Sequence, residues 1–209
     1  TKAIVFSVVL TLVSLYSNAQ NGEMQTLFGE GAISYGGFGG PRVALSKFNS
    51  QDIWLVGGRG GAVFNHSFVI GGAGYGIVNS PMFTDIEYDG QPYAKAYLEG
   101  GYGGMYFEYI YKPFKVVHLS FPLVVGGGAL LYAETPAAQS GGNMQDNIIT
   151  QSTFFVLEPG IEIELNVVHF MRLTAGVSYR YTNGLDLPST PANAFNSMAA
   201  TVSLKFGKF

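Results

Sequence analysis

Residues 154–165 read Phe-Phe-Val-Leu-Glu-Pro-Gly-Ile-Glu-Ile-Glu-Leu, and their period decides the fold. Phe155, Leu157, Pro159, Ile161, Ile163 and Leu165 form an uncharged set that alternates with Phe154, Val156, Glu158, Gly160, Glu162 and Glu164. Period two puts the two sets on opposite faces of a strand, whereas a helical period mixes them. The alternation returns twice downstream. Leu173, Ala175, Val177, Tyr179 and Tyr181 alternate with Thr174, Gly176, Ser178 and Arg180. Met198, Ala200, Val202, Leu204 and Phe206 alternate with Ala199, Thr201, Ser203, Lys205 and Gly207. Each segment therefore has one face without charge, over about the 9–11 residues a tilted strand needs to cross a bilayer.

Working upstream, the same reading predicts strands near 36–48, 53–64, 67–78, 94–110 and 117–133, which with 152–165, 171–182 and 197–208 makes eight. Connections near 65–66, 111–116 and 166–170 are short. Those near 79–93, 134–151 and 183–196 are long and rich in Pro, Gly, Asn and Ser, and only 49–52 is short on the long-loop side. Short periplasmic turns alternating with longer external loops describe an outer-membrane barrel. A spanning helix is excluded. The uncharged runs 60–84 and 116–133 are long enough, but Asn65-His66-Ser67 with its following glycines interrupts one, and Pro122 with Gly126-Gly127-Gly128 interrupts the other.

Composition agrees. Of 209 residues, 47% are hydrophobic and only 12% charged, about half the charge of a soluble domain. No cysteine is present and the net charge is −3. This profile excludes a disordered chain, a coiled coil and a disulfide scaffold, and with 11 Lys+Arg against 14 Asp+Glu it excludes a nucleic-acid partner. At the start, Lys2, the apolar stretch Ala3 to Leu15 and Ser17-Asn18-Ala19 before Gln20 have the parts of a cleaved signal peptide. The expected organisation is a signal peptide over 1–19 and a single barrel domain over 20–209, located in the bacterial outer membrane.

The export signal, alternating strands, turn pattern and terminal Leu204-Lys205-Phe206-Gly207-Lys208-Phe209 together resemble the small eight-stranded outer-membrane β-barrel superfamily, over essentially all of residues 30–209. The resemblance implies an all-β, closed, antiparallel up-and-down transmembrane barrel of about eight strands with a side-chain-filled lumen. It also implies a terminal aromatic residue that the insertion machinery recognises. Here the apolar face falls on even positions counted from the last residue, which sets Phe209 just outside the final strand.

With apolar faces toward lipid, Arg42, Arg59, Lys95, Glu99, Glu158, Glu162, Glu164, Arg180 and Lys205 are expected to line the lumen as a charge network. Ions removed from water must find partners, and eight strands leave an interior that side chains can fill. Fifteen of the 29 glycines cluster near the middle of four successive strands. They suit curvature and interior packing. Outward glycines, with Gly58, Gly60, Gly100 and Gly104 so assigned, would leave a shallow groove for docking a lipid or a membrane partner. Aromatic residues near strand ends, among them Trp54, Phe64, Tyr93, Tyr106, Phe121 and Tyr132, fit two interfacial girdles.

Signals for chemistry are few. His66, His118 and His169 fall at the periplasmic strand ends on separate turns, and no Gly-x-Ser-x-Gly elbow occurs. Asp85-Ile86-Glu87-Tyr88-Asp89-Gly90 opens like a calcium loop, but Ala96 stands at the twelfth position, where a bidentate Glu belongs. No catalytic, metal-binding or cofactor residue is assigned, and no cofactor is expected. Asp52, Asp85, Glu87, Asp89, Glu134, Asp146 and Asp186 place acid in the external connections 49–52, 79–93, 134–151 and 183–196, while Lys112, Lys115, Arg172 and Lys208 fall at the other rim. The expected function is a non-enzymatic outer-membrane barrel, a structural or accessory subunit of a membrane complex that presents acidic surface loops. Its expected partners are outer-membrane lipids and another outer-membrane protein. The alternatives are a lipid-modifying barrel enzyme, a narrow pore, and a soluble lipocalin-like carrier, which would turn Glu158, Glu162 and Glu164 toward water.

Overall fold

The computed structural model describes residues 33–136 and 147–209, so the export segment at 1–19 and Asp146 lie outside the described residues. Eight long strands form the wall: β1 (Tyr35–Phe48), β2 (Gln51–Phe64), β3 (Phe68–Ile77), β7 (Ala96–Tyr111), β8 (Val117–Ala133), β9 (Ile148–Val168), β10 (Met171–Asn183) and β11 (Ser197–Lys208). Three short strands, β4 (Met82–Phe83), β5 (Ile86–Tyr88) and β6 (Gln91–Tyr93), lie within the first long loop. The wall runs β3-β2-β1-β11-β10-β9-β8-β7 and closes through β3–β7, with every neighbour antiparallel. This is a closed up-and-down barrel, and closure leaves no edge strand unpaired. Asn49-Ser50 and Asn65-His66 both have positive φ at each position. Two such residues make the tight hairpin turn whose twist suits the flanking strands, which is why the β1–β2 connection is short on the long-loop side.

Exposure is inverted relative to a soluble barrel. Ile163 and Val202 are 56% and 54% exposed, while Arg180, Lys205 and Glu164 are fully buried. A water-soluble carrier would show the opposite, so the outer face is built for hydrocarbon. Among the described residues no helix is long and apolar enough to cross a membrane.

The long-loop end is capped. Leu185, Leu187, Ala194 and Phe195, from the loop between β10 and β11, are buried. The Phe195 ring lies 5.4 Å from Phe154 and 5.9 Å from both Phe48 and Tyr102. Tyr132, which the sequence suggested for a girdle, turns inward and meets Thr190 of this loop at 2.8 Å. Tyr106 also turns inward and is fully buried. Asp85 to Ala96 is a hairpin rather than a calcium loop: Glu87 sits opposite Pro92, Asp89-Gly90 makes the turn, and Ala96 is buried as the first residue of β7.

The glycine band divides by face. On the concave inner side, neighbouring carbonyls approach so closely that a Cβ on Gly57 would overlap the Gly74 oxygen, and one on Gly40 would overlap that of Leu204. Glycine is needed there because a small barrel bends its strands sharply. Two assignments require correction. Gly104 lies in phase with buried Tyr102 and Tyr106, and Gly100 sits opposite buried Leu130 with φ 122°, so both face inward rather than toward lipid. The sequence left this open because β7 carries Glu99 and Glu108 on opposite phases, with Gly and Tyr on both faces. Gly58 and Gly60 do face outward, opposite exposed Pro41 and Gly39.

Candidate functional site

Alternation along β1, β2, β9, β10 and β11 delivers charged side chains to one interior, where they assemble in tiers. Toward the long-loop end, Arg180 donates to the Phe195 carbonyl at 3.0 Å, to Ser46 at 2.9 Å and to Tyr102 at 3.5 Å. Below it, Arg42 pairs with Glu158 at 3.1 Å, and Ser178 donates to the same carboxylate at 2.7 Å. The Tyr102 hydroxyl donates to Glu158 as well, which joins these two tiers. In the next tier, Arg59 grips Glu162 with both terminal nitrogens, at 2.9 and 2.5 Å, and also donates to Thr174 and Ser203. At the short-turn end, the Lys205 ammonium donates to Glu108 at 2.6 Å and to Glu164. Glu164 also holds Arg172 at 3.3 Å and His118 at 3.0 Å.

Guanidinium forks and shared carboxylates satisfy one another here where water is scarce, and bidentate pairs fix geometry as well as charge. Aromatic faces complete the cation shells. Arg42 lies 4.8 Å from the Tyr75 ring centre, and Arg180 lies 3.7 Å from that of Phe195.

Seven of the nine expected lumen residues meet in these tiers: Arg42, Arg59, Glu158, Glu162, Glu164, Arg180 and Lys205. Lys95 does not. It is exposed in the segment between β6 and β7, because β7 begins only at Ala96 and turns its even positions inward. Glu99 is buried but apart from the tiers, where Ser80 of the covering loop donates to it at 3.1 Å. The sequence reading missed Glu108, Arg172 and His118. Glu108 carried a usable signal, since a charge within a membrane strand must face inward. Arg172 was placed at the rim, yet it is only 4% exposed.

Carboxylate oxygens of Glu108, Glu162 and Glu164 come within 4.8 Å of one another, a spacing that could hold a metal. Lys205 and Arg59 already bond these groups, so the protein's own cations occupy the position a metal would take. The histidines stay apart. His118 lies within the lumen, His66 packs 5.0 Å from the Phe114 ring, and His169 is exposed on another turn.

The rims differ in sign. Asp52, Asp85, Glu87, Asp89, Glu134 and Asp186 are exposed at the long-loop end, with Lys47 and Lys95 beside them, and Lys47 pairs with Asp52 at 2.9 Å. Lys112, Lys115 and Lys208 are exposed at the other.

A scan against models of known protein families matches none, and no curated protein matches the chain. Solved structures do. Neisserial surface protein A aligns with a TM-score of 0.53 at 13% identity, over 86% of this chain and 100% of that one. The N-terminal β-barrel domain of Pseudomonas aeruginosa OprF aligns with a TM-score of 0.45 at 10% identity, over 81% and 96%. Ail, the attachment invasion locus protein of Yersinia pestis, aligns with a TM-score of 0.40 at 12% identity, over 83% and 95%. The chain has the fold of the small eight-stranded outer-membrane β-barrels.

Proposed function

We propose that this protein is a closed, non-enzymatic barrel of the bacterial outer membrane, a structural or accessory subunit that presents acidic loops outside the cell. The observation that carries this reading is the lumen: tiers of paired ions run beneath a cap of Leu185, Leu187 and Phe195, leaving the interior filled. Short turns then face the periplasm and long loops the exterior. The buried histidine, His118, bonds a carboxylate and a main-chain carbonyl rather than a serine, which supports the absence of hydrolytic or acyl-transfer chemistry.

Outward Gly58 and Gly60 sit beside Gly74 and Gly72 of β3, and this smooth strip is the candidate docking face for another membrane protein. The test of the filled lumen is a planar-bilayer recording of the refolded protein, with no stable stepwise current expected. Reproducible channel openings would overturn the closed reading.

A further inference from the structure

At the short-turn end a cavity of about 600 Å³ opens among the β7–β8 turn, the β9–β10 turn and the end of β11, lined in part by Phe114, Val116, Val167, His169, Arg172 and Phe209. Its size lies within the usual range for small-molecule sites. One wall is apolar and belongs to the membrane side, since Val167 continues the outward row of Ile161, Ile163 and Leu165, and Val116 is 66% exposed. The inner part is cationic. Arg172 is buried under the Phe209 ring, 3.9 Å from its centre, and its Nε has no hydrogen-bond partner among the described residues. Exposed His169 stands at the lip, and Lys112, Lys115 and Lys208 are exposed on the same rim. No Asp or Glu side chain is exposed there among the described residues, since Glu108 and Glu164 are buried and already paired.

A concave site with a hydrocarbon-facing wall and an edge rich in basic side chains matches an amphiphile with an anionic head. Basic residues at a membrane–water boundary attract negatively charged headgroups. We infer that this cavity holds one anionic phospholipid of the adjoining leaflet, with its phosphate toward His169 and Arg172 and an acyl chain along Val116 and Val167. A soluble acidic peptide would satisfy the charge but leave the apolar wall uncovered.

The inference rests on the membrane reading, so insertion is checked first: the folded full chain should migrate differently on gels before and after boiling, and a chain that never inserts would overturn that reading instead. Native mass spectrometry then titrates the inserted protein with phosphatidylglycerol or phosphatidylcholine. One phosphatidylglycerol per barrel is expected, held about tenfold more tightly than phosphatidylcholine. The double variant Lys115→Glu/His169→Asp alters exposed turn residues and leaves Arg172 paired, so it should fold and lose that preference. Equal retention of both lipids, an unchanged preference in the variant, or displacement by inorganic phosphate or a polyglutamate peptide would each overturn the proposal.

Discussion

Glu162 sits between the two terminal nitrogens of Arg59 with both side chains 1% exposed, so neither group can turn to water if the other is lost. Removing one member of such a buried pair typically costs about 3–5 kcal/mol. Glu162→Gln should therefore lower the urea midpoint of the barrel, and Glu162→Arg should lower it further by setting like charges together. Heat resistance equal to the native protein in the Arg variant would contradict the observed pairing. Lys47 and Asp52 form the contrast, because their side chains are 59% and 66% exposed. Asp52→Asn should shift stability by no more than about 1 kcal/mol. Glu158, Glu162 and Glu164 could be assigned from alternation alone because their strand is apolar at every other position. Arg172 carried the same signal, since it is in phase with Thr174, Ser178 and Arg180 within the 171–182 strand, but its place one residue from the strand's start put it with the rim lysines.

At the scale of the element, the glycines separate into required and tolerant positions. A Cβ on Gly57 would strike the Gly74 main chain of the neighbouring strand, whereas one on Gly39 meets nothing within 4 Å. Gly57→Val should reduce the folded fraction sharply on the gel-shift assay, while Gly39→Val should fold normally. The hairpin of β5 and β6 exposes Asp85, Glu87 and Asp89 on a turn anchored by buried Ile86. Clustered carboxylates outside a membrane attract divalent cations. Asp85→Asn/Glu87→Gln/Asp89→Asn should weaken any magnesium- or calcium-dependent rise in melting temperature without unfolding the wall, and an unchanged cation dependence would leave the hairpin as ordinary solvated surface. Sequence patterning found the long strands because each repeats its alternation over many residues. It missed β4, β5 and β6, which run only two or three residues each and so have too few positions to show a period.

For the whole molecule, closure and filling are separate properties. The wall is held by its own hydrogen-bonded ring, and the lumen is blocked by the loop cap and, beneath it, by paired ions. Replacing residues 185–195 with a Gly-Ser linker should destabilise the barrel, because it uncovers Phe48, Phe154 and Arg180, yet bilayers should stay without stepwise current. Channel activity in that variant would show that the paired ions by themselves do not fill the lumen. The sequence by itself determined the strand number, their antiparallel order and the polar character of the inside, because a period-two pattern in a membrane leaves each side chain only two destinations. Tertiary structure alone decided which ions meet, that Gly100 and Gly104 turn inward, and that Phe195 closes the mouth. Those outcomes depend on cross-strand register and on a loop folding back into the lumen, and they bring together residues more than a hundred positions apart, such as Arg59 and Glu162.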